Sequence, residues 1–264
     1  MLRYAMLPVL MLISAVVRAQ SVYIEDLTWT EVRDAIAAGK STAIIYAGST
    51  EQNGPHMALG KHTFIAHFVA GKIAEELGDA LVYPTLPFAP TGDFVLKTGH
   101  LRFPGSVSID SDLFLGVMSQ VALSAINAGF KQVYLMGDHG GGQSELKLAA
   151  ENLDREWSSH GVRIRYVPDV YFKESTQSEE YLKAHHLATG THAGSEDTSE
   201  VMYIDTAHKW IRKDKMAASD LSTEPATGVD GDPTQASAEM GKVFVELKIS
   251  DAVAQIRAYR SAKP

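Results

Sequence analysis

Short apolar runs alternate with longer segments of helical spacing through residues 28–167 of this 264-residue chain, and nothing else in the sequence narrows its fold as far. The runs at residues 43–46 (Ala-Ile-Ile-Tyr), 80–83 (Ala-Leu-Val-Tyr), 131–136 (Lys-Gln-Val-Tyr-Leu-Met) and 163–167 (Arg-Ile-Arg-Tyr-Val) read as strands. Residues 28–38, 63–77, 110–128 and 143–160 read as helices. In the second of these, Phe64, Ala66, Phe68, Val69, Ile73 and Leu77 recur at helical spacing, while Gly39, Gly78 and Gly129 stand where helices stop. Strands that alternate with helices predict an α/β fold, a three-layer sandwich whose central sheet is mostly parallel with helices on both faces. The order of the strands does not follow from the pattern.

The composition is that of a globular protein, 45% hydrophobic and 21% charged, and no linker, repeat or low-complexity tract divides it. A single domain is therefore expected over residues 20–264. Residues 1–19 are a separate matter: Arg3, an apolar stretch over 4–17 and Val17-Arg18-Ala19 form the pattern of a secretory signal cleaved after Ala19. That predicts an exported, periplasmic protein with no membrane span after cleavage. A formal net charge of −8 without basic clusters argues against a nucleic-acid partner. The chain has no cysteine, which excludes disulfides, thiolate metal sites and cysteine nucleophiles.

Polar functional groups gather in three segments, residues 48–62, 137–142 and 191–200. The first two follow predicted strands, so a parallel sheet would bring them to one edge. Glu51, His56 and His62 of the first segment are residue types that suit a divalent cation such as zinc. Residues 84–104 form a long irregular segment rich in Pro and Gly, with Phe88, Phe94 and Phe103 arguing for order. It reads as a pocket wall or an oligomer contact, and it could carry His100 or Arg102 over the site to touch substrate.

Three motifs in order resemble those of the creatininase (creatinine amidohydrolase) family. The family's Glu-Gln-His-Gly-Pro-His stands here as Glu51-Gln52-Asn53-Gly54-Pro55-His56, and its Leu-Pro-Leu-Gly-Thr-Asp as Met57-Ala58-Leu59-Gly60-Lys61-His62. Its Asn-Gly-His-Gly-Gly-Asn stands as Gly137-Asp138-His139-Gly140-Gly141-Gly142, and its His-Ala-Gly motif as His192-Ala193-Gly194, followed by Asp197-Thr198-Ser199. The departures are equally specific. The bridging Asp of the family's two-metal centre falls on His62, a second-site His on Asn53, and a second-site carboxylate on Gly141.

The resemblance therefore implies a centre with one divalent metal, zinc first and manganese or iron as alternatives, held by Glu51, His62 and His139. One carboxylate, two imidazoles and an open position are a catalytic zinc arrangement suited to hydrolysis. His192, with Asp197, would transfer protons, Asp197 also being a candidate helix cap. Asn53 would orient the water or simply make an Asn-Gly turn; His56 would support a ligand carboxylate or line the pocket; Asp138 would orient its neighbour His139 or cap a helix. Glu196 and Glu200 read as solvated. The implied activity is hydrolysis of a C–N amide bond in a small or cyclic substrate, by a chain that self-associates, as family hexamers do. A lactone or ester hydrolase, or a metal-free binding protein, are the alternatives.

Overall fold

The computed structural model describes residues 21–262; the expected signal at residues 1–19 lies outside them. The chain begins with α1 (Trp29–Ala37), whose N-terminus is closed by a capping box between Thr28 and Glu31. Then follow β1 (Thr42–Ala47), α2 (Lys61–Leu77), β2 (Ala80–Val82), α3 (Ser111–Ala128), β3 (Gln132–Gly137), α4 (Gln143–Trp157) and β4 (Arg163–Tyr166). The remainder holds α5 (Phe172–Ala184), α6 (Ser195–Ile204), the single turn α7 (Glu224–Thr227) and the long α8 (Ala238–Ser261).

The four strands are all parallel, in the order β2-β1-β3-β4. Every residue of β1 is buried, which is why its sequence shows an apolar run rather than alternation. Alternate side chains nevertheless leave by opposite faces. Ile44, Tyr46, Tyr134 and Met136 pack with Ile65, Val69 and Ile73 of α2 and Val245, Ala252 and Ile256 of α8. Ala43, Ile45, Val133 and Leu135 pack with Phe114 and Met118 of α3 and Leu146 and Ala149 of α4. The three layers expected from the sequence are present.

Strand order reverses between β1 and β3, which run side by side from Thr42↔Gln132 to Ala47↔Gly137. Connections leave these two strands in opposite directions, so their carboxyl ends part and open a crevice. Two of the three polar segments lie there. The helix expected at 63–77 starts two residues earlier, at Lys61, and this puts His62 in its first turn. Residues 84–104 are irregular as expected, apart from a 3-10 turn at Gly99–Arg102. No helix among the described residues is long and apolar enough to cross a membrane.

Candidate metal centre

Glycine lets the crevice close around its functional groups. A Cβ on Gly48, just after β1, would lie 2.6 Å from the Thr63 backbone, so the strand end can rest on the first turn of α2 only without a side chain. Glu51 is thereby buried directly beside His62. The turn after β3 is held by Gln143, whose Nε2 donates to the carbonyls of Gly137 (3.0 Å) and His139 (2.8 Å).

Four imidazoles ring the Glu51 carboxylate. Oε1 lies 3.1 Å from His62 Nε2, 3.7 Å from His100 Nε2 and 4.0 Å from His192 Nδ1, and Oε2 lies 2.8 Å from His139 Nε2. Ligand atoms of Glu51, His62 and His139 all lie within 4.8 Å of one another. Although His139 Nε2 is 2.8 Å away, it is poorly aligned to donate to Oε2, which has no other donor. An unsatisfied buried acceptor costs about 1–3 kcal/mol, and a cation held among these atoms would remove that cost. The donor set and the orphaned oxygen both fit a divalent metal.

The electrostatics agree with this. Burial opposes a charge on Glu51, but the His62 and His139 imidazoles outweigh it and hold the carboxyl well below its ordinary range. Burial and the Lys61 ammonium act to depress His62; Glu51 and Asp138, one at each ring nitrogen, outweigh them and raise it. A cation would replace the proton that His62 shares with Glu51.

Asp138 meets His62 rather than its chain neighbour His139, which corrects the expected pairing. Its Oδ2 accepts from His62 Nδ1 at 2.8 Å, leaving Nε2 to face Glu51. Its Oδ1 accepts from the Tyr46 hydroxyl at 3.4 Å and lies 3.6 Å from Lys248 Nζ. Lys248 is itself 4% exposed and donates to Glu174 Oε2 at 2.7 Å, with Glu200 Oε1 at 3.3 Å. Burial disfavours its charge, but Glu174, Glu200 and Asp138 raise it well above the ordinary lysine value. Glu200 is thus not solvated as expected; burial lifts its carboxyl, as it does that of Glu196 on the cavity wall.

Three further expectations give way to the geometry. Asn53 does not reach the cavity: its Nδ2 donates to the Glu51 and Ala58 carbonyls at 2.9 and 3.1 Å, closing a turn in which Gly54 has φ +65°. His56 supports no ligand carboxylate; its Nε2 pairs with Thr198 Oγ1 at 3.0 Å, and burial pushes it down to about 4. Asp197 is spent on Lys61, whose ammonium donates to Oδ2 at 2.7 Å, and on the Ala193 N–H at 2.6 Å. That second bond holds Ala193 at φ +54°, a left-handed conformation costing about 1–2 kcal/mol for a non-glycine residue, beside His192.

His192 and His100 do reach the site. The His192 Nε2–H donates to the Gln52 carbonyl at 2.8 Å, which leaves Nδ1 bare and turned toward Glu51. Burial, with help from the Lys61 ammonium, pushes His192 down to about 3, so at neutral pH the ring is uncharged and its one proton sits on Nε2. The Gln52 amide lies 3.0 Å from His100 Nδ1. His100 and His192, together with Lys61, Tyr171 and Glu196, line a cavity of about 670 Å³.

Sequence reasoning passed over Lys61, Gln52, Glu174 and Lys248. A signal existed for the last, because Phe244, Val245, Lys248 and Ala252 share one buried stripe of α8, and a lysine on an apolar stripe demands a partner. The Gly141 position has lost more than a side chain. A Cβ there would overlap the Pro90 carbonyl, so the 84–104 segment fills the space in which a carboxylate would stand.

With the fold and the site in place, comparison with known proteins defines the class. The family model for creatinine amidohydrolase matches residues 25–256, and the chain belongs to the creatininase family. A mycofactocin precursor peptide peptidase from Mycolicibacterium smegmatis is 30% identical over 77% of this chain and 80% of its own length. A creatinine amidohydrolase from Pseudomonas putida is 29% identical over 46% of each chain. A manganese form of creatininase superposes with a TM-score of 0.75 at 22% identity, over 92% of this chain and 100% of its own. A Zn–Zn mutant form gives 0.73 at 21%, with the same coverage.

Proposed function

We propose that this chain is a metal-dependent amidohydrolase acting on a C–N amide bond of a small molecule. The observation that carries the reading is the Glu51 carboxylate, buried with the ring nitrogens of His62 and His139 at 3.1 and 2.8 Å and one oxygen without a well-aligned donor. Relatives named as a peptidase and as an amidohydrolase both cut amide bonds, which supports the reaction class. Zinc or manganese suits the donor set, and both accompany solved creatininases. When bound, such a cation polarises a carbonyl and lowers the pKa of water.

The chain's own residues do the rest. Asp138 keeps the His62 proton on Nδ1, and Lys248 holds Asp138 in place from behind. Lys61 puts a buried positive charge on the cavity wall, where charge developing on a carbonyl oxygen would be stabilised. Glu196, lifted by burial and lining the same cavity, is a group able to hold a proton for the leaving nitrogen. In the same proposal residues 1–19 are a signal peptide, residues 20–264 the hydrolase domain, and the protein is periplasmic and self-associating. Cyclic amides, formamides and small peptides should be screened on metal-loaded protein beside matched esters, with Glu51→Gln as the control. Amide turnover that survives Glu51→Gln would remove the carboxylate from the reaction, and ester turnover alone would change the reaction class.

A further inference from the structure

One carboxylate is ringed by four imidazoles, and a centre built on His62 and His139 uses two of them. The other two form a set of their own: ligand atoms of Glu51, His100 and His192 also lie within 4.8 Å of one another. We propose that His100 and His192, with the same Glu51, form a second divalent-cation position that replaces the one lost at Asn53 and Gly141. The inference rests on the metal-hydrolase reading and specifies its centre.

Geometry supports it. Bonds of about 2.0–2.2 Å place two donors on a tetrahedral ion about 3.4 Å apart. The first set stands at 2.8 and 3.1 Å from Glu51, and the second at 3.7 and 4.0 Å, so each needs shifts of about 0.3–0.6 Å to close on an ion. The distances of the second set are too long for hydrogen bonds, so the Nδ1 that the Gln52 carbonyl turns toward Glu51 is left with its lone pair free for a cation. The two rings are packed together, their centroids 4.4 Å apart. The segment whose Pro90 carbonyl fills the place of a side chain at position 141 is the one that delivers His100. Its backbone closes one ligand position and its side chain opens another.

Gln52 sets the affinity. Its Oε1 accepts from the Gly54 N–H at 2.9 Å, so its NH2 faces His100 Nδ1 and the His100 proton sits on Nε2. Ligation through Nε2 needs that proton on Nδ1 and the Gln52 amide turned over, at the expense of the Gly54 bond. The second cation therefore binds more weakly than the first. A carboxylate at position 52 would accept from both groups at once.

The test is a cobalt titration of chelator-stripped protein, read by visible absorption and by metal analysis after gel filtration. Wild type should take two equivalents per chain, the second more weakly, and folded His100→Ala should take one. Gln52→Glu should tighten the second equivalent about 10-fold, as changes in the partners of ligating histidines do. Saturation of wild type at one equivalent, two equivalents in His100→Ala, or an unchanged second affinity in Gln52→Glu would each overturn the second position. Failure of wild type to bind any cobalt would instead overturn the metal-hydrolase reading itself.

Discussion

His62 Nδ1 and Asp138 Oδ2 lie 2.8 Å apart, on the first turn of α2 and just past the end of β3, and this contact decides which ring nitrogen of His62 faces Glu51. Replacing Asp138 by Asn keeps the shape but lets the amide present its NH2, which favours the wrong tautomer. Metal affinity should fall about 10- to 100-fold in Asp138→Asn, measured by competition with a chromogenic chelator. An unchanged affinity would show that His62 is oriented by something else.

Lys248 is expected to be a large stability determinant. In Lys248→Met the buried Glu174, Glu200 and Asp138 lose their shared cation, and removing one partner of a buried ion pair costs about 3–5 kcal/mol. Urea unfolding should show that loss, partly restored when Glu174→Gln is added. A loss below about 1 kcal/mol, the size expected of a surface pair, would mean that the cluster is hydrated.

The motif carboxylate should not be restorable at position 141 by one substitution. Gly141→Asp drives a Cβ into the Pro90 carbonyl, backbone that cannot swing aside as a side chain would. Overpacking of this kind costs about 1–3 kcal/mol, to be seen as a lowered melting temperature. An undiminished melting temperature would mean that the 84–104 segment yields freely.

His56 makes stability fall on acidification. Burial depresses it from its ordinary value to about 4, so between about 6.5 and about 4 the unfolded chain binds a proton that the folded chain refuses. The stabilisation is complete above 6.5 and is lost as pH falls toward 4, by roughly 1–3 kcal/mol. Denaturant melts at pH 7 and pH 5 should show the loss, and His56→Gln should show less of it. Equal slopes in the two proteins would assign the acid sensitivity elsewhere.

The layers and the Glu51–His139 pairing were legible because local patterns encode them. Apolar runs marked β1 and β3, and glycines after them marked the loops that carry Glu51 and His139. Asp197 and Asn53 misled because a carboxylate or amide looks equally suited to metal chemistry and to bonding backbone; the Ala193 N–H and the Glu51 carbonyl claim them only in three dimensions. The Lys248 cluster joins β1, β3, α5, α6 and α8 across distant stretches of chain, and no periodicity reports such a meeting. His100 stood out in sequence only as a loop histidine, since its nearness to Glu51 depends on the path of the whole 84–104 segment.

The meeting of Gly141 with the Pro90 carbonyl also limits the routes by which chains of this kind can interconvert by mutation. A carboxylate cannot enter at 141 until the 84–104 segment has moved back, and moving it back withdraws His100. Intermediates between the two arrangements would lack both sets of groups. Passage from one to the other is therefore expected to run through a destabilised form or through paired changes at 141 and in the 84–104 segment.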